Sequence, residues 1–147
     1  MASFTYVRQV AAPPEIVFDV LTDHRRYTEI TQLRKAELER EGEPEPDGVG
    51  AIRRLTLAGP PMREEVLAYE RPYRFSYTLL SGLPVRGHVG TVELNPSKGG
   101  TEVVYAIHTT PTIPFAGAPT IFFMKQGIKT LLGGIAKESE RRAADAR

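Results

Sequence analysis

Polar and apolar residues alternate from the start of the chain, where Ser3–Val10 is rich in β-branched and aromatic side chains and predicts a strand. Ala12-Pro13-Pro14-Glu15 ends it, because proline is tolerated in a first helical turn and an acidic residue there suits the helix dipole. Ile16, Val17, Val20 and Leu21 then recur at helical spacing and predict a short helix to about Thr22. Asp23 is placed to cap a second, shorter helical turn through Tyr27. From Thr31 to Thr110 the text changes to strands and turns. The runs Thr31–Glu41, Ala51–Ala58, Met62–Glu70, Arg74–Leu80, Arg86–Leu94 and Thr101–Thr110 are divided by turns rich in Gly and Pro, among them the Gly42–Gly48 loop. Six strands on short connections predict an antiparallel meander, seven strands with the first. The pattern then reverts to helix. Ile121, Met124, Ile128, Leu131 and Ile135 step by alternating threes and fours, Leu132 widens the stripe and Pro119 suits its start. A helix from Ala118 to Ala144 would be about 40 Å long, enough to cross the whole sheet.

Side-chain parity assigns the interior. On the fifth strand Phe75, Tyr77, Leu79 and Ser81 share the more apolar face, opposite Arg74, Ser76 and Thr78. Val103, Tyr105, Ile107 and Thr109 are inward on the seventh by the same logic. On the sixth, Arg86, His88, Gly90, Val92 and Leu94 share a face that Val92 and Leu94 turn inward. The fourth strand is ambiguous, since Val66 and Leu67 are both apolar. A curved sheet around a helix leaves an interior that side chains either fill or leave as a pocket. The candidate lining is Phe75, Tyr77, Leu79, Arg86, His88, Val92, Tyr105, Ile107, Met124, Ile128 and Leu131. His88 and Tyr77 are the catalytic candidates: a histidine on an apolar pocket can act as general acid or base near neutral pH. Tyr77 and Tyr105 can donate to a ligand carbonyl or oxyanion. The plainer reading of all three is a core residue satisfied by a neighbour. Arg86 and Glu64, if buried, need partners, and an Arg86–carboxylate pair would mark a polar end to the pocket. The plainer expectation places both at the rim in water.

Two features lie outside that lining. Gly133-Gly134 interrupts the long helix at about 1 kcal/mol per glycine relative to alanine, which close packing or room for a ligand would offset; packing is the expectation. Thr112-Ile113-Pro114-Phe115-Ala116-Gly117 with Phe122, Phe123 and Met124 forms an apolar cluster that could be a lid, a dimer contact or a membrane-touching patch. Core burial of two of the three side chains Phe122, Phe123 and Met124 is the expectation. The last turns carry a Glu138–Arg142 pair at i, i+4 and read as a solvated end.

Composition narrows the function classes. A chain of 147 residues predicts one domain, 1–147, and 41% hydrophobic with 25% charged residues is ordinary for a globular protein. A net charge of +1 removes the usual electrostatic argument for nucleic acid or an anionic membrane. The absence of cysteine excludes disulfides, thiolate catalysis and cysteine-ligated zinc, and suits a reducing cytoplasm. Met1–Tyr6 enters a strand directly and reads as no signal peptide; no run of about 18 apolar residues predicts a membrane span. His24, His88 and His108 lack ligand spacing with carboxylates, so no metal is expected. Gly-rich nucleotide loops and Gly-x-Ser-x-Gly motifs are missing too, and no cofactor is expected.

The order strand, two short helices, six strands, long helix resembles the helix-grip fold of the START-like (SRPBCC) superfamily, shared by lipid-transfer domains, birch-pollen-type allergens and bacterial polyketide cyclases/dehydrases. The wording is closest to the bacterial branch. Ala12-Pro13-Pro14-Glu15-Ile16-Val17-Phe18 with Leu21-Thr22-Asp23 and Tyr27 resembles its opening helix pair. Gly48-Val49-Gly50 with Arg53 resembles its third strand, and Glu70-Arg71-Pro72-Tyr73-Arg74-Phe75-Ser76-Tyr77 its strand-turn-strand. Leu83-Pro84-Val85 and Gly99-Gly100-Thr101 fit the later turns. Ile30 departs from the pattern, standing where many relatives carry tryptophan. The resemblance implies an α+β fold: a seven-stranded curved antiparallel sheet wrapped around a long C-terminal helix, with two short helices after the first strand. It does not fix an activity. The expected function is binding or carriage of an amphipathic lipid, polyketide or aromatic metabolite by a cytoplasmic monomer or weak homodimer, without stable membrane insertion. The alternatives are a cofactor-independent cyclase or dehydratase, and a regulatory protein-binding module with a filled core.

Overall fold

β1 (Ala2–Val10) alternates half-buried and exposed positions along its length until Val10 enters the core. The computed structural model, which describes residues 2–146, continues with α1 (Pro14–Thr22), a 3-10 turn at His24–Arg26 and α2 (Tyr27–Ile30). Then come β2 (Lys35–Arg40), β3 (Ile52–Thr56), β4 (Met62–Glu70), β5 (Arg74–Ser81), β6 (Val85–Ser97), β7 (Gly100–Pro111) and α3 (Gly117–Asp145). The strands form one antiparallel sheet in the order β1-β7-β6-β5-β4-β3-β2, so the meander is sequential and β1 adds to it beside β7. This is the α+β arrangement that the periodicity and the family resemblance imply.

Two local expectations are corrected. Asp23 makes no side-chain capping bond; its carboxylate lies 3.5 Å from Arg26 Nε, and the turn after it is 3-10. The second strand begins at Lys35, with Thr31–Arg34 leading into it as a bend.

β-bulges decide which parity faces inward, and they are what simple alternation misses. On β6, Arg86 pairs with Thr110 but Val89 pairs with His108, so one extra residue is accommodated around Gly87, whose φ of +58° suits glycine. The bulge separates Arg86 from His88: His88 is buried and Arg86 is exposed, contrary to the shared inward face that alternation predicts. A second bulge on β4, between Val66 and Ala68, resolves the ambiguous strand. Val66 is in the core, Leu67 is exposed, and Tyr69 returns inward to meet Phe18 edge-on at 5.0 Å.

The core concentrates where α1 and the C-terminal half of α3 close over the sheet. Val17, Phe18, Val20 and Leu21 of α1 and Leu132, Ile135, Ala136, Ser139 and Ala143 of α3 are all buried. Burying a side chain such as Phe18 contributes about 1.5–3 kcal/mol. Gly134 permits the closest approach: a Cβ there would lie 1.9 Å from the Ile30 carbonyl oxygen, so α2 ends against a bare stretch of helix. The packing reading of Gly134 therefore stands, whereas a Cβ on Gly133 would meet open space.

Candidate functional site

The N-terminal half of α3 lies over the sheet without sealing it. Between them is a cavity of about 120 Å³, walled by Leu33, Leu55, Leu57 and Met62 from one side and Met124, Ile128 and Leu131 of α3 from the other. Phe123, Leu83 and Gln32 stand at its edge. The deepest lining is polar: Arg53, Glu64, Tyr77, His88 and Tyr105 are all buried.

Arg53 and Glu64 face each other in the β3–β4 register, and Arg53 Nη2 donates to Glu64 Oε1 at 2.7 Å. Arg53 is 4% exposed and Glu64 7%. Burial by itself lowers the Arg53 pKa, but the Glu64 carboxylate outweighs it and holds the guanidinium protonated. Three rings box the cation, with Phe75 at 5.1 Å, Tyr77 at 5.7 Å and Tyr27 at 5.8 Å from its central carbon. Its Nε and Nη1 are buried and find no hydrogen-bond acceptor among the described residues.

Tyr77 sits directly across from Gly90, where a Cβ would come within 2.4 Å of its ring; only glycine leaves the ring room to lie over β6. Its hydroxyl hydrogen-bonds that of Tyr105, and the rings meet edge-on at 6.4 Å. Burial raises both phenol pKa values, so both stay protonated; in their mutual bond one hydroxyl donates and the other accepts, which leaves one O–H free to donate. His88 hydrogen-bonds Thr109 Oγ1 through Nδ1 at 3.1 Å, and its ring lies 6.1 Å from that of Tyr77. Burial lowers its pKa to about 4, which makes it a neutral imidazole at pH 7.

Of the residues picked from the sequence, Tyr77, His88, Tyr105, Met124, Ile128 and Leu131 line the cavity. Phe75 is buried behind it and supports Arg53; Val92 and Ile107 belong to the core away from the lining. Leu79 is half-buried and outside the lining, and Ser81 is exposed. Arg86 is exposed at the bulge and takes no part. The polar end rests instead on Arg53, named in the sequence only as part of a motif, and on Glu64, which is buried and not at the rim. A signal for both was present: Arg53 shares parity with Leu55 and Leu57, and Glu64 with Met62 and Val66, so opposite charges sit on matching inward faces of adjacent strands. The expected burial of two of Phe122, Phe123 and Met124 is also corrected, since Met124 alone is buried.

Comparison with known proteins agrees with this architecture. At 15% identity XoxI from Bacillus cereus superposes with a TM-score of 0.74 over 93% of this chain and 94% of its own. Ara h 8.0201 does so at 14% identity and 0.78, covering 94% and 97%. The di-domain ARO/CYC StfQ of the steffimycin biosynthetic pathway matches at 14% identity and 0.77, with 97% of this chain laid on 51% of that one. Such identities establish the shared fold alone. No curated protein matches the sequence. The family described as "Polyketide cyclase / dehydrase and lipid transport" matches residues 1–140, nearly the whole chain, and the protein belongs to it.

Proposed function

We propose that the cavity binds an amphipathic small molecule whose polar end is an uncharged carbonyl or hydroxyl group. The observation that carries this reading is the buried Arg53–Glu64 pair at the floor of an otherwise apolar cavity, with two guanidinium donors unpartnered. Arg53 is already neutralised by Glu64, so a carboxylate ligand would add an uncompensated negative charge at low dielectric. A carbonyl oxygen accepts from the free guanidinium edge or the free tyrosine O–H without that cost. The apolar body of the ligand lies against Leu55, Leu57, Ile128 and Leu131. Ring-shaped ligands suit a cavity whose deep wall is aromatic, and the family's link to polyketides and the fold shared with StfQ point the same way.

A matched series tests the polar end. Thermal unfolding with naphthalene, 2-naphthol and 2-naphthoate is expected to show the largest stabilisation by 2-naphthol, and that advantage is expected to vanish in the double variant Arg53→Met, Glu64→Met. If none of the three shifts Tm, or if 2-naphthoate is favoured, the reading fails.

The second reading, acid–base chemistry on the bound ligand, is favoured by the convergence of Tyr77, Tyr105 and neutral His88 beside the same floor. His88 would accept a proton and Tyr77 would hydrogen-bond the developing oxyanion. Unchanged turnover of an identified substrate by His88→Ala and by Tyr77→Phe would remove it.

A further inference from the structure

The end of the molecule where the cavity opens has a surface unlike the rest. Phe115 is fully exposed, Phe122 is 65% and Phe123 62% exposed, and Ile113 is half in solvent. Phe115 holds a φ of +63°, a left-handed conformation that a bulky side chain adopts only at a cost. Two unfavourable features, strain and an unburied phenyl ring, therefore coincide in one residue. The loop carrying it is tied down, because Thr112 N–H donates to the Pro84 carbonyl at 2.9 Å and Ala116 N–H to that of Ile113 at 3.2 Å.

Three segments surround the mouth: the β3–β4 turn, the β5–β6 turn and the β7–α3 loop with the start of α3. Gly82 of the second approaches the backbone of Pro61 and Met62 in the first, and the Thr112–Pro84 bond joins the second to the third. The chain has 18 acidic residues, and none falls in 56–63, 80–89 or 109–131, the stretches that build this end. The cations there are Arg63, Arg86, Lys125 and Lys129. Arg63 is paired with Glu39, while Arg86, Lys125 and Lys129 are exposed and form no ion pair among the described residues. An apolar crown edged by unpaired Arg86, Lys125 and Lys129, with Glu39 held by Arg63 at its side, complements the interface of an anionic bilayer, where phenyl rings enter the acyl boundary and lysines meet the headgroups.

We infer that this end docks the protein on an anionic lipid bilayer, with Ile113, Phe115 and Phe122 entering the interface and Lys125 and Lys129 against the headgroups. Phe123 and Leu83 line both the crown and the cavity, so a ligand dissolved in the bilayer reaches Arg53 without crossing water. Docking is peripheral: no helix among the described residues is long and apolar enough to cross a membrane. The surface does not depend on what Arg53 holds, and docking can fail while the naphthol series succeeds, or the reverse.

Co-sedimentation with vesicles of phosphatidylcholine, and of phosphatidylcholine mixed equally with phosphatidylglycerol, tests it. The wild type is expected to bind the anionic vesicles and to be released by salt. Phe115→Ser with Phe122→Ser should lower binding by about tenfold or more for each ring withdrawn. Lys125→Glu with Lys129→Glu should abolish the preference for anionic lipid. Both variants are expected to keep the wild-type Tm, since the side chains they change are exposed. Val7→Ser, at an exposed position on β1, should bind as wild type does. The inference is overturned by a wild type that ignores both vesicles, by equal binding to the two, or by phenylalanine variants that bind normally. It is likewise overturned if light scattering shows a dimer that Phe115→Ser with Phe122→Ser dissolves, which would make the crown a protein contact.

Discussion

The two halves of α3 lie over the same sheet and do opposite things. From Leu132 to Ala143 the helix buries residues three or four apart against α1 and the strands, down to a serine whose hydroxyl donates to the Ile135 carbonyl at 2.7 Å. From Gly117 to Leu131 the same helix buries Met124 alone, and its other apolar side chains line a cavity or meet solvent. One half supplies stability by close packing; the other gives up that packing and leaves room. The contrast also has a chemical side. The hydroxyls buried at the packed end, those of Thr22, Thr101 and Ser139, donate to backbone carbonyls, whereas the floor of the open end holds an ion pair that contributes little to stability compared with well-packed hydrocarbon.

The ion pair gives the largest expected effect. Glu64→Met leaves a buried guanidinium that cannot shed its proton, and should cost about 3–5 kcal/mol in urea-induced unfolding. Arg53→Met should cost less, because the remaining carboxyl can be protonated. The double variant Arg53→Met, Glu64→Met should recover most of the loss. If it is as unstable as Glu64→Met, the pair is needed for packing and the open end is not organised around ligand recognition.

Next comes a pair of identical truncations on one helix. Ile135→Ala, at 1% exposure in the packed half, is expected to lose about 2–5 kcal/mol. Ile128→Ala, half-buried on the cavity wall, should lose well under half as much, since its side chain already borders empty space. Chemical denaturation of both variants decides it. Equal losses would show that the two halves are packed alike.

How much of this was legible in the sequence follows the same division. The Ile121–Ile135 stripe marked the helix, and the strands were bounded by their Gly and Pro turns, because burial on one side imposes a period that survives in the residues. The inward parity of β5 and β7 was readable for Phe75, Tyr77 and Tyr105, since neither strand is bulged at those residues; it fails at Leu79 and Ser81, where β5 carries one extra residue opposite Arg63 and Glu64. Arg86 and Leu67 were misassigned or left open because one extra residue in a ladder reverses parity, and neither bulge has a signal stronger than Gly87. The Arg53–Glu64 pair needs two strands to be aligned before its complementarity shows. Burial of Phe122 and Phe123 failed for a different reason: helical periodicity says which residues share a face, and not whether anything covers that face.

Neighbouring glycines give the smallest effect and the finest resolution of where packing gives way to space. Gly133 and Gly134 carry the same helix-propensity penalty, so any difference between their alanine variants comes from surroundings. At Gly134 the added methyl would lie 1.9 Å from the Ile30 carbonyl oxygen, a backbone atom that can move only by displacing α2. Gly134→Ala should therefore destabilise by about 1–3 kcal/mol despite the better helix former. At Gly133 nothing lies within 4 Å of the new carbon, and Gly133→Ala should stabilise by about 0.5–1 kcal/mol. Opposite signs one residue apart, read as Tm changes, would fix the helix–helix contact to a single position. A stabilising Gly134→Ala would mean that α2 can yield, and the sealed end would then be looser than its burial implies.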